Sequence, residues 1–81
     1  MAEDFSSPRH EALRAYLVKK RKKAGITQVQ LAKILKRGQA YVSYVERGRK
    51  LVAVIELMRW AKALDFDARE ALRELYKIHE I

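Results

Sequence analysis

Gln39, Ser43, Tyr44 and Arg47 are the side chains in this sequence best placed to do chemistry, and that chemistry is hydrogen bonding. An amide or a hydroxyl can donate and accept at once, as the recognition of base edges requires. Arg37, Arg47, Arg49 and Lys50 surround them with positive charge suited to phosphate oxygens. Covalent catalysis has no comparable support. The chain has no cysteine and no glycine-rich phosphate loop, and Ser43 has no histidine near it in sequence. His10 and His79 stand far apart without further ligands. No enzymatic activity, metal or cofactor is therefore expected, and no small-molecule ligand is evident.

These groups share a surface only if residues 39–46 form a helix. Val42 and Val45, three residues apart, then face inward, and Gln39, Ala40, Ser43, Tyr44 and Arg47 fall together on the opposite face. That outer face is short-chained, polar and almost free of acid, as a helix entering a major groove about 12 Å wide must be. A short helix precedes it: Thr27 is a capping residue, and Gln28 to Leu35 follows with Leu31, Ala32, Ile34 and Leu35 expected inside. Two helices crossing steeply over so short a turn need a small residue at the closest approach, and Ala32 supplies it. Around this pair, a first helix starts at Ser7-Pro8 and ends at Gly25, with Leu13, Tyr16, Leu17 and Ala24 as its apolar stripe. A fourth runs over 54–64, with Val54, Leu57, Met58, Trp60, Ala61 and Leu64 apolar. Asp67 and Glu70 resemble a capping box that opens a fifth, about 67–79. Residues 1–6 lack periodicity and are expected to be a flexible tail, leaving 7–81 as a single domain with the helix-turn-helix at 28–47.

Composition agrees with an all-α fold: 81 residues, 49% hydrophobic and 35% charged, with only three glycines and one proline to build turns. The net charge of +8 is unevenly spread. Residues 8–24 carry +6 and residues 25–50 carry +5, whereas residues 65–81 carry −2. A one-sided basic field is what a polyanion-binding surface requires. No apolar run approaches membrane-spanning length and no signal peptide opens the chain, so a cytoplasmic protein with no membrane partner is expected.

The segments AGITQVQLA (24–32), QAYVSYVERG (39–48) and IELMRWAKAL (55–64) together resemble the Cro-type, lambda-repressor-like helix-turn-helix regulators, also called the xenobiotic-response-element family. The likeness runs from about Leu17 to Leu64 without a gap, and its TQxxLA and VSxxERG elements at this spacing are quite specific. It implies a compact five-helix domain that binds double-stranded operator DNA. It also implies roles at matching positions. Gln28 would touch a phosphate and brace the next helix. Gln39 would read a base, adenine being the natural match for its amide. Ala40, Ser43 and Tyr44 lie where other base contacts form, and Arg21 and Glu46 match an ion pair linking the first and third helices. Three positions depart from the pattern. Lys36 stands where glycine is usual, and Gly38 where a capping serine or proline is common, so a differently shaped turn is expected. Tyr44 replaces a common Lys or Arg, which would exchange a phosphate or guanine contact for packing on thymine methyls. Ala53 replaces a capping acid or serine, so the fourth helix is expected to start raggedly.

The last helix carries Leu72, Leu75, Tyr76, Ile78 and Ile81, more apolar surface than so short a domain can hide. A homodimer built on Leu72, Leu75, Tyr76 and Ile78, aided by Leu51, Val52 or Ile55, is the resulting expectation. The whole reads as a sequence-specific transcription regulator acting as a dimer on a roughly palindromic operator. Two other readings stay open: a helix-turn-helix scaffold repurposed to inhibit another regulator by protein contact, and a nucleic-acid binder without sequence preference.

Overall fold

The computed structural model describes residues 7–79; the expected tail at 1–6 and Ile81 lie outside them. Five helices follow in order: α1 (Pro8–Lys23), α2 (Gln28–Leu35), α3 (Gln39–Glu46), α4 (Val54–Leu64) and α5 (Ala68–Tyr76). No strand occurs among the described residues.

Local chemistry sets most of the boundaries. The Ser7 hydroxyl accepts the His10 amide at 3.1 Å, and Pro8 occupies the first turn of α1, where its missing N–H costs nothing. Gly25, at φ +76°, takes the left-handed conformation just beyond α1. At α2 the cap is reciprocal: Thr27 Oγ1 accepts the Gln30 amide at 3.1 Å, and Gln30 Oε1 accepts the Thr27 amide at 2.8 Å. The turn after α2 enters the left-handed region at Lys36, φ +58°, and the Arg37 amide closes on the Ala32 carbonyl at 2.9 Å. Lysine thus adopts the left-handed conformation usual for glycine. Ala53 offers no side-chain cap, yet α4 starts regularly, with the Leu57 amide on the Ala53 carbonyl at 2.9 Å. At α5 the Asp67 carboxylate accepts the Arg69 amide at 2.8 Å, and the side chain that returns to it is Arg69, not Glu70. This helix ends at Tyr76, so Ile78 lies beyond it.

The core is Leu17, Leu31, Ala32, Val42, Val45, Leu57, Trp60, Leu64 and Ala71, one cluster drawn from all five helices. α1 packs on α3, α4 and α5, while α2 packs on α3 and α4. Ala32 is only 3% exposed at the α2–α3 crossing, so a larger residue there would overpack it by about 1–3 kcal/mol. The indole N–H of Trp60 donates to the Tyr41 hydroxyl at 3.0 Å, which satisfies its one polar atom in the core. Not every apolar position expected inside lies there. Ile34 is 54% exposed, and Val54 and Met58 are also exposed, because α2 and α4 each bury a narrower stripe than their apolar residues could fill.

Candidate nucleic-acid interface

The two ends of α3 are built differently. At its C-terminal end, the buried carboxylate of Glu46 accepts from Arg21 Nε at 2.6 Å, Arg21 Nη2 at 3.0 Å and Gln28 Nε2 at 2.9 Å. Arg21 also donates through Nη1 to the Ile26 carbonyl at 2.8 Å, fixing the loop between α1 and α2. One carboxylate therefore ties α1, α2 and α3 together, with its bidentate partner supplying most of the compensation for lost hydration.

Two more α1 residues grip the same end. Arg14 Nη1 donates to the Glu46 carbonyl at 3.0 Å, taking up a carbonyl at the helix end. His10 Nε2 lies 3.1 Å from the Gly48 carbonyl; since a carbonyl only accepts, Nε2 is the nitrogen bearing hydrogen. Gly48 has φ +75°, and a Cβ on it would meet Arg14 Cδ at 3.0 Å. Neither His10 nor Arg14 is apparent as an anchor in the sequence. The signal was their spacing: 10 and 14 share the face of α1 that also carries Leu17 and Arg21, but a histidine and an arginine there do not mark themselves as buried.

The outer face of α3 carries no such commitments. Gln39 and Ala40 are exposed in its first turn, Ser43 is half-buried and Tyr44 is about half exposed. None of the hydrogen bonds among the described residues engages the side chains of Gln39, Ser43 or Tyr44. The Arg47 guanidinium lies over the Tyr44 ring at 5.2 Å from its centroid. Arg49 and Lys50 follow, both exposed, and the Arg49 amide closes the end of α3 on the Tyr44 carbonyl at 2.8 Å.

Arg37 and Gln28 are engaged elsewhere. Arg37 lies over Tyr41, 4.7 Å from the ring centroid, and reaches Glu56 of α4 at 3.5 Å. Tyr41 donates to Glu56 at 3.3 Å while accepting from Trp60. Burial is the main force pushing the Tyr41 hydroxyl above its ordinary value, with Glu56 adding to it and Trp60 and Arg37 opposing. It is therefore a protonated donor at neutral pH, and a packing residue. The amide nitrogen of Gln28 is spent on Glu46, so the brace to the next helix is formed by that group.

On the far side, Leu72, Leu75 and Tyr76 line a small groove with Arg9, whose Nε donates to the Leu75 carbonyl at 3.1 Å. Tyr76 is 80% exposed, Leu72 is exposed, and Leu75 and Ile78 are half-buried. Leu51, Val54, Ile55 and Met58 are exposed around the start of α4.

A short capped helix, a tight turn and a second helix with a clean outer face define a helix-turn-helix protein of the DNA-binding kind. The helix-turn-helix family model matches residues 17–70, and the chain belongs to this family, the XRE-type transcription regulators. Its fold is similar to that of an XRE-family like protein from Pseudomonas syringae pv. tomato, at 36% identity over 85% of this chain and 84% of that one, TM-score 0.79. The clp gene regulator ClgR from Corynebacterium glutamicum is similar at 33% identity over 85% of this chain and 90% of the other, TM-score 0.76. The restriction-modification controller protein C.AhdI from Aeromonas hydrophila is similar at 31% identity over 76% and 94%, TM-score 0.71. No curated protein matches the sequence significantly. No helix among the described residues is long and apolar enough to cross a membrane.

Proposed function

We propose that this regulator acts in the cytoplasm as a homodimer on a roughly palindromic operator, laying α3 of each copy in a major groove. The observation that carries this reading is the uncommitted outer face of α3, held by a helix end that is locked at Glu46. Gln39 is the principal base reader, with its amide bidentate to adenine. Ala40 and Ser43 allow close approach, and Tyr44 packs on thymine methyls. Arg47, Arg49 and Lys50 contact phosphates along the flank. Gln28 contributes mainly by bracing α3, since its amide nitrogen faces Glu46.

One reading helix spans too few base pairs for useful selectivity. Two of them, related by a two-fold axis, would read half-sites about 34 Å or ~10 bp apart. The exposed Leu72 and Tyr76, with Leu75 between them, favour α5 as the face that brings the copies together, and Ile78 extends it past the helix end. The test is selection of duplexes from a random library, followed by footprinting. Enriched sites with two inverted half-sites about one helical turn apart are expected. Enrichment of a single unpaired half-site would overturn the dimer, and no enrichment would overturn base reading.

A further inference from the structure

We propose that the groove between the α2–α3 turn and α4 docks an acidic, amphipathic helical segment of another protein. The groove is about 660 Å³ and is lined by Ile34, Leu35, Lys36, Arg37, Arg59, Lys62 and Ala63. Four of these seven are cations and none is an acid. Glu56 engages Arg37, but among the described residues no ion pair holds Lys36, Arg59 or Lys62. Three exposed cations thus line one groove without an acidic partner, a local excess of positive charge that favours an anionic ligand.

The floor and the turn narrow the choice of anion. The apolar part of the lining is Ile34, 54% exposed, with Leu35 and Ala63 half-buried. A duplex backbone would answer the cations but leave this apolar floor in water. A helix with acids flanking a leucine stripe answers both. Lys36 is the second observation. It sits at φ +58°, where glycine would meet no steric objection, and strained non-glycine residues of this kind concentrate where a side chain serves a ligand. Lys36 is one of the residues lining the groove.

The probe is a fluorescently labelled synthetic helical peptide with glutamates flanking an i, i+4 leucine stripe, read by anisotropy with the full chain. The parent protein is expected to bind it, and a lysine-for-glutamate version of the peptide is expected not to bind. Arg59→Glu/Lys62→Glu should weaken binding about tenfold or more. Lys19→Glu/Lys22→Glu makes the same change in net charge on α1 and should leave affinity within about twofold. Ile34→Ala should weaken it about fivefold through the floor. Unchanged melting curves for these exposed positions keep folding out of the comparison. Absence of binding overturns the proposal. So does equal loss in both charge-reversed variants, which would reduce the effect to net charge. A flatter salt dependence of duplex binding in Arg59→Glu/Lys62→Glu would make the groove a phosphate site instead, and a lower sedimenting mass would make its occupant a second copy; either result overturns docking of a foreign segment.

Discussion

The two ends of α3 belong to one helix of eight residues but obey opposite rules. Its last turn is crowded with bonds: Glu46 is shared by Arg21 and Gln28, its carbonyl is taken by Arg14, and the following Gly48 carbonyl by His10. On its outer face, by contrast, the side chains of Gln39, Ser43 and Tyr44 make no hydrogen bonds of their own among the described residues. A domain with a small core can in this way present adaptable chemistry without losing shape. Stability is concentrated where no ligand is needed, and the ligand-facing groups are left out of the stability account. Substitutions at the two ends should therefore have separable effects.

The largest effect is expected at the locked end. Glu46→Ala leaves Arg21 largely buried without its anion and should cost about 3 kcal/mol, lowering Tm by more than about 10 °C in a domain of this size. Arg21→Ala should do much the same. Melts within about 2 °C of the parent would mean that this end is not where stability lies. At the free end, Gln39→Ala should leave Tm unchanged and cost about 2 kcal/mol on the selected operator, with little loss on random duplex. Equal loss on both duplexes would break the assignment of base reading to this face. Arg47→Ala should weaken all sequences alike and reduce the slope of log affinity against log salt by about one unit. Lys36→Gly sharpens the comparison from the turn between the helices: relief of the left-handed strain should exceed glycine's entropic cost and raise stability by about 0.5 kcal/mol in chemical denaturation.

The smallest effect is expected where the same chemistry is exposed to water. Asp67 and Arg69 also form a two-point pair, at 3.1 and 2.9 Å, but in full solvent. Arg69→Ala should not move Tm measurably. The side chain and amide of Arg69 hold the Asp67 carboxyl below its ordinary value. Its contribution is thus complete above the unfolded value of about 4 and is lost only as pH falls through the lower folded value. Carbon-detected NMR titration of the carboxyl should give a midpoint below that of an ordinary aspartate, and an ordinary midpoint would remove the pair from solution.

Much of this architecture was legible in the sequence, because the signals were local. Thr27, Ser7 with Pro8, and Gly25 act through neighbouring backbone, so their residue types suffice to mark helix ends, whereas the return bond from Gln30 to Thr27 appears only in the structure. The Val42 and Val45 stripe likewise sets the outer face of α3. What sequence could not give was partnership across the fold. Ile34, Val54 and Met58 satisfy helical periodicity but find no helix opposite them. Nothing in the sequence around Arg37 announces that it lies over Tyr41 and reaches Glu56 of α4. His10 and Arg14 look like surface residues until the end of α3, more than thirty residues later, arrives against them. Asp67 pairs with the nearer Arg69 because a guanidinium competes better for a carboxylate than an amide three residues on.

The shared carboxylate of Glu46 also has a calorimetric consequence. Because α1, α2 and α3 are already joined at one point, docking α3 into a groove orders no backbone. The ordering cost falls on a few exposed side chains, at about 0.5–1.5 kcal/mol each. The heat-capacity change of association should then match rigid-body burial alone, without the excess that accompanies coupled folding.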